Sequence, residues 1–544
     1  MGGALLNLIA STNSEAQFLT GNPNTSFFYT TFNQYCNFGM QKFRIDYEGN
    51  NDLQENTSTE INFNIPRHGD LLNDTYLVVH LPNIWSPIYR DTSGNTTNYY
   101  PYEFKWIKNI GCNLVEQISV YADGTKLQSY SGQYLRNMVE RDFDNVKKDL
   151  FYKMTGNIPD LFDPAKCSNN GKYPNSSTTN SQIINPSIHS RILYIPINVW
   201  FCLSTYQSLP LIANQYNNIS IKVKLRQIRD LYVVRDLDQV DTHDYSLTSY
   251  IKPPATPKYQ FKNFINPPKN EYITNTDISE YDNRLPHFNI HLMCTQTFLD
   301  ENVRYYLAKS EQIYLIKEVR ELIINDVVES KKIDIESHGL ISSWMWFLQR
   351  SDINDRNEWS NYTNLKYENL NMYNNLYTFN LNTSDLSIND VNNTNIYTTP
   401  VYSLEDEIEI LKNLAILCDG AYRENLLDAG IYNYIEKYIR SPGNGINGLY
   451  CYNFTLNTNP FNIQPQGAFN TNFFKTTEFE LNTIKPNINA ENNVGIVCDP
   501  NTGEIISINK SNKQLYEYTY NLTIQEEKYN ILQFQNGMVS LKYS

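Results

Sequence analysis

Basic runs are missing from this chain of 544 residues. Lys and Arg number 44 against 58 Asp and Glu, a formal charge of −14. No cluster of positive side chains offers phosphates a landing surface, which argues against direct nucleic-acid binding. No run of about 18 apolar residues occurs, so no membrane-spanning helix is expected. The opening MGGALLNLIAS lacks the basic start and apolar length of a secretory signal, and Leu6 stands where a myristoylation motif wants Ser or Thr. None of the eight cysteines (Cys36, Cys112, Cys167, Cys202, Cys294, Cys418, Cys451, Cys498) falls in a CxxC pair. They read as buried thiols in a reducing compartment, since a chain this long builds a core without disulfides. GxSxG, P-loop and GxGxxG motifs are absent from any usable context.

What is present favours strands. The chain is 41% hydrophobic and 19% charged, with 42 Tyr. That suits a globular protein, and its length suits two large domains. Tyr, Ile, Thr and Phe favour strands, while Asn and Gly favour turns. EINFNIP (60–66), TYLVVHLP (75–82), RILYIPINVWFC (191–202), NIHLMCTQTFLD, EQIYLIKEV and LISSWMWFLQR all read as strands. In ISIKVKLR, Ile219, Ile221, Val223 and Leu225 alternate with Ser220, Lys222, Lys224 and Arg226, giving one dry face and one wet face. Asp123-Gly124 and Asn536-Gly537 are hairpin turns. The best helices are 133–143 and 301–309. Residues 354–400 and 482–516 read as long polar loops. A polar, then proline-rich stretch around Pro253 and Pro254 marks a domain boundary. The pattern gives an all-β fold of two tandem β-sandwiches or jelly rolls, with few short helices and long loop insertions.

Several motifs invite chemistry. In RHGD, His68 and Asp70 form an HxD pair, and His189 would complete a two-His, one-carboxylate iron site, with Arg191 to grip an acid. The competing reading is a solvated turn in which Asp70 caps backbone amides. His287 and His291 have the spacing of a helical zinc pair, but on a strand they lie roughly 13 Å apart. SPGNGINGLY (441–450) reads as a flexible loop, and EDEIE (405–409) as a solvated helix start. Trp344, Trp346 and Trp359 form an aromatic patch that suits a sugar, a core or a subunit interface. Twelve Asn-x-Ser/Thr sequons occur, Asn24, Asn95, Asn175, Asn361 and Asn453 among them; without a signal peptide they read as mostly unused.

The order of longer motifs is more specific. GGALLNLIAS and FLTGNPNTSFFYTTFNQYCNFGMQ are followed by IPRHGDLLNDTYLVVHLP, VEQISVYADGTKLQSYSGQYL and IPINVWFCLSTYQSLPLIANQYNNISIKVKL. Then come TFLDENVRYYLAKSEQIYLIKEV, LCDGAYRENLLDAGIYNYIEKY, GLYCYNFTLNTNPFNIQPQGAFNTNFF and YNILQFQNGMVSLKYS. This series, covering essentially the whole chain, resembles the major capsid protein of the nucleocytoplasmic large DNA viruses. LCDGAYRENLL stands where that family often carries an LNG-D-RF element. The resemblance implies two eight-stranded jelly rolls per chain, without enzymatic activity, cofactor or metal. It implies a homotrimer of pseudo-hexagonal outline that tiles an icosahedral shell. Minor capsid proteins and an internal membrane would lie at its inner face. The location would be the virion, with assembly in the host cytoplasm. The expected division is an N-terminal arm (1–27), a first jelly roll (28–235), a linker (236–258) and a second jelly roll (259–544). The alternatives are an iron-dependent oxygenase using His68, Asp70 and His189, or a glycan- or receptor-binding surface protein using the tryptophans.

Overall fold

Alternation decides the sheets. Ile219, Ile221, Val223 and Leu225 are buried and the residues between them half-buried, in a strand hydrogen-bonded on both sides. The computed structural model describes residues 2–5, 17–24, 28, 30–49, 52–91, 97–167, 172–176, 185–235, 250–280, 286–365, 367, 408–486, 494–498, 505–510 and 518–543. Asn95 and most of the two long polar loops lie outside them.

The principal strands fall into two sets of eight. The first is β1 (Phe38–Ile45), β2 (Thr59–Asn64), β3 (Leu71–Leu81), β4 (Val115–Ala122), β5 (Thr125–Ser131), β6 (Arg191–Pro196), β7 (Ile219–Leu225) and β8 (His291–Leu299). They form two antiparallel sheets ordered β1-β8-β3-β6 and β2-β7-β4-β5. The second set is β9 (Gln312–Val327), β10 (Ser330–Asp334), β11 (Leu340–Arg350), β12 (Leu411–Cys418), β13 (Ala421–Asp428), β14 (Leu449–Asn453), β15 (Thr477–Thr483) and β16 (Tyr520–Gln535). Its sheets run β9-β16-β11-β14 and β10-β15-β12-β13. Adding eight to every strand of the first half reproduces the second. This interleaving is that of a jelly roll, here repeated in tandem.

Turn chemistry sets the registers. Asp123 and Gly124 (φ 42° and 93°) join β4 to β5, and Asn536 and Gly537 (φ 53° and 77°) turn the chain after β16. Both pairs have the two positive φ values that a tight hairpin needs. Asp419-Gly420 (φ 49° and 78°) does the same between β12 and β13. The expected helices are found as α1 (Gly132–Asp142) and α3 (Glu301–Lys309), together with a further helix, α2 (Asn145–Thr155).

Four expectations change. The chain does not enter the second half at residue 259: β8 pairs with β1 and β3, and Tyr259, Phe261 and Phe264 pack in the first core. Without β8, β1 would have no ladder partner among the described residues and β3 would lose one. The proline-rich stretch is therefore a loop on the first roll, with Tyr102 donating its hydroxyl hydrogen bond to Lys258 O at 2.9 Å. The apolar run after EDEIE is strand β12, not a helix. SPGNGINGLY is pinned, since the amides of Gly443 and Gly445 donate to the carbonyls of Arg141 and Glu140. Cys36 and Cys167 are exposed rather than buried.

Candidate functional site

The most heavily built polar site lies where the two rolls meet, around α1. Ser131 caps the helix by accepting from the Tyr134 amide at 3.1 Å. Gly132 opens it because any Cβ there would overlap the carbonyl oxygens of Cys112 and Val115. From Tyr134 to Asp142 every residue is buried, charged ones included. A helix buried on all sides belongs inside a structure, and α1 is wedged between the first roll and the sheet carrying β11 and β16.

Its charges are met by residues of the second roll. Arg141 donates from Nε and Nη2 to the two carboxylate oxygens of Asp142 at 2.8 and 2.7 Å. Nη2 also reaches Glu527 Oε1 on β16 at 2.7 Å, and Nη1 donates to Ser343 Oγ on β11 at 3.0 Å. Glu527 accepts further bonds from the hydroxyls of Tyr134 (2.9 Å) and Ser343 (2.8 Å), and Lys317 Nζ stands 3.8 Å away. Asp142 accepts from the Thr458 hydroxyl at 2.6 Å. Asn137 donates to Gln525 at 3.0 Å and accepts from Tyr362 at 2.9 Å. Burial works to raise the Glu527 carboxyl, but Arg141, Lys317 and the two hydroxyls outweigh it and pull it down to about 2. Burial dominates at Asp142 and raises it, against the pull of Arg141. The cluster is a fully bonded lock, and what it does chemically is hold two barrels in one orientation.

The residues singled out from sequence do not assemble into a reactive centre. Asp70 Oδ2 accepts from the Leu299 amide at 2.9 Å and Oδ1 pairs with Arg304 at 3.0 Å, so the carboxylate ties β8 and α3 to the start of β3. His68 is exposed, its ring 5.0 Å from that of Phe43. Asp70 precedes β3, whereas His189 follows Ile188, which bridges Ile84 beyond the other end of that strand. The eleven residues of β3 separate them by roughly 36 Å at about 3.3 Å per residue. They cannot share an iron. Among the described residues no group of three His, Cys, Asp or Glu side chains is placed to hold a metal ion. His287 pairs with Asp52, and His291 bonds the carbonyl of Asn289.

The tryptophans are not a sugar platform. Trp344 and Trp346 are fully buried in the second core, and Trp344 Nε1 donates to Glu526 at 3.0 Å. Trp359 lies under the Arg226 guanidinium, 4.1 Å from its ring centroid, and donates to the Asp230 carbonyl. The side-chain amides of Asn175, Asn361 and Asn453 are spent on internal hydrogen bonds, whereas Asn24 is exposed.

Comparison with known proteins agrees with this architecture. A family described as major capsid protein N-terminus matches residues 26–261, and one described as large eukaryotic DNA virus major capsid protein matches residues 303–540. Capsid protein 1 of Acanthamoeba polyphaga mimivirus is 29% identical over 236 residues, 43% of this chain and 36% of the relative. The major capsid protein of Chrysochromulina ericina virus is 28% identical over 262 residues, 44% of each chain. The matched stretch therefore spans less than half the length of these two relatives. In fold, the subunit of a PBCV-1 virus capsid quasi-atomic model matches 95% of this chain and 100% of its own, at TM-score 0.58 and 16% identity. The Faustovirus major capsid protein matches 98% of this chain and 97% of its own, at TM-score 0.58 and 12% identity. With two family matches in the expected order over two tandem jelly rolls, the chain belongs to the major capsid protein family of the large eukaryotic DNA viruses.

Proposed function

We propose that the chain is a structural subunit of a virus shell, without catalytic activity. Three copies would form a pseudo-hexagonal capsomer, and capsomers would tile an icosahedral lattice. The observation that carries this reading is the buried seam, which makes two jelly rolls one rigid double barrel. Three such units supply six similar lobes, the outline that packs hexagonally. Closed sheets suit a dense array, because few strand edges are left to pair at random. Single contacts between capsomers can be weak, since a shell is multivalent. The names of the relatives support the same role. We assign the first roll to residues 38–299, the connection to α3, and the second roll to residues 312–543. The arm before Phe38 exposes Phe18, Phe32 and Tyr35, apolar side chains suited to minor capsid proteins or a membrane at the inner face. The virion is then the protein's location.

Light scattering on the purified chain tests the reading. The expected result is a species of three times the chain mass, with a hexagonal outline in electron micrographs. A stable monomer at micromolar concentration overturns it.

A further inference from the structure

One short turn of the second roll, Gly443-Asn444-Gly445, is fastened to the end of α1. Gly443 and Gly445 donate their amides to the carbonyls of Arg141 and Glu140 at 2.9 and 2.7 Å. A Cβ on Gly443 would overlap the carbonyl oxygens of Arg141 and Phe143, and Gly445 has φ 66° with the Lys437 side chain against it. Glycine on both sides is what lets the turn sit this close. The close approach delivers the residue between the glycines. Lys148 Nζ, on α2 of the first roll, donates to Asn444 Oδ1.

A third group completes the set. Glu140 is buried, as is Lys148, and its Oε2 lies 3.8 Å from the lysine nitrogen. Glu140 Oε1 accepts from the Tyr152 hydroxyl at 2.5 Å, which fixes the carboxylate in place. Asn444 is exposed. The arrangement is a buried amine, a buried carboxylate beside it, and an amide with solvent at its back. Because Cγ is bonded to Oδ1, the contact holds the amine next to the carbonyl carbon, the geometry from which attack proceeds. Burial lowers the Lys148 pKa, with Glu140 opposing, so the neutral amine is brought within reach of ordinary pH. Lys437 on α4 (Glu436–Arg440) is buried too, and its pKa is lowered by burial and further by the charge of Lys148. Losing one of the two charges relieves both.

We propose that Lys148 and Asn444 join in an isopeptide bond, a covalent tie between the two rolls beside the Arg141–Glu527 pair. Glu140 takes a proton from the Lys148 ammonium, and the freed amine attacks Asn444 Cγ. The new N–Cγ bond forms, the Cγ–Nδ2 bond breaks, and Glu140 passes its proton to the departing nitrogen. The lysine ammonium and the asparagine amide thus become one secondary amide and one ammonium ion, which leaves on the solvent side. No oxidant or reductant enters, so the tie forms and persists where a disulfide would be reduced. It is a single reaction of the chain with itself and does not depend on the trimer. Lys437 supplies an internal comparison. It also donates to an asparagine, Asn433 Oδ1 at 2.9 Å, but forms no ion pair among the described residues and should stay unlinked. The linked residues are 296 positions apart, and a bond closing so long a loop restrains the unfolded chain strongly.

The test is mass spectrometry of the wild-type full chain, unfolded and digested with trypsin after folding. The expected result is one branched species in which the peptides holding Lys148 and Asn444 are joined and together lighter by one ammonia. Asn444-Gly445 can also lose ammonia by closing on its own backbone as a succinimide, but that leaves the two peptides separate. Lys148→Arg and Asn444→Ala should each abolish the branched species. Glu140→Gln keeps the shape of the side chain and removes the proton carrier, and should slow its appearance about a hundredfold or more. Separate peptides in the wild-type digest, with Asn444 intact or as a succinimide, overturn the proposal whatever the variants do. Linkage in Glu140→Gln at the wild-type rate overturns Glu140 as the proton carrier.

Discussion

Arg141 and Glu527 are 386 positions apart in the chain and 2.7 Å apart in space. Both side chains are 1% exposed, so the pair sits in low dielectric and its parts cannot be removed singly without cost. Arg141→Met would leave Asp142 and Glu527 buried without the guanidinium, with Lys317 still 3.8 Å from Glu527. Breaking a buried pair from one side costs about 3–5 kcal/mol. Urea denaturation should show the midpoint falling accordingly. Because α1 joins the rolls, the loss should appear as earlier separation of the two halves, visible as a second transition.

The same cluster sets an acid limit. The Glu527 carboxyl is held at about 2 against an ordinary 4.5. Its folded value is depressed, so its contribution is fully present above pH 4.5 and is lost as pH falls through about 2. A shift of that size corresponds to roughly 3 kcal/mol. Asp142, raised by burial, works in the opposite sense and softens the drop. Wild-type stability measured by urea melts should decline between pH 4.5 and 2. In Glu527→Gln that decline should shrink, from a lower starting stability at pH 7. An unchanged slope in the variant would mean that other carboxylates set the acid limit.

Strand β7 separates folding from surface charge. Ile221 is fully buried between β2 and β4, and a carboxylate there has no partner. Ile221→Asp should cost more than about 4 kcal/mol and yield insoluble protein. Lys222 lies on the other face, 3.9 Å from Glu60 and over the Tyr121 ring. Lys222→Glu places like charges side by side at a half-exposed position and should cost at most about 1 kcal/mol. Soluble yield and thermal melts distinguish the two.

Legibility followed the physics of each element. β7 could be read because one face is dry and one wet, and the hairpins because Asp-Gly and Asn-Gly supply positive φ. Asp419-Gly420 carries the same signal and went unread, because β13 after it has no buried face and so no alternation. The β8 assignment failed for a different reason. Its partners β1 and β3 lie some two hundred residues earlier, and proline-rich loops look like linkers whether or not the chain returns to the same sheet. The seam left one trace in the sequence, charged residues inside otherwise apolar patterns, VERDF on α1 and IQEEKY on β16. A periodicity reading treats such charges as a solvated face, and only the packing of the two rolls shows them paired. The HxD motif and the tryptophans were conspicuous by residue type, yet their positions spent Asp70 on a strand tie, Trp344 and Trp346 on the second core, and Trp359 on packing against the first roll.

Thiol accessibility offers a last check, because the cysteines divide sharply by environment. Cys36 and Cys167 are exposed, while Cys112, Cys294, Cys418 and Cys451 are buried. The nucleophile is the thiolate, so burial suppresses reaction twice, by blocking access and by raising the pKa. It pushes Cys112 up to about 12, and Cys294 and Cys451 up to about 11. Cys202 is half-buried, but its thiol is pushed up to about 12 and should also react slowly. With a disulfide reagent at pH 8, Cys36 and Cys167 should react in the fast phase of the native protein. Cys112, Cys202, Cys294, Cys418 and Cys451 should react only as the chain unfolds. Replacing Cys36 and Cys167 with Ser should lower the fast phase by two thiols and leave the slow phase intact. Rapid labelling of Cys112 or Cys451 in the native state would contradict a closed seam, because both pack against the α1 cluster: Cys112 lies beneath Gly132, and the charges of Arg141 and Glu527 reach Cys451.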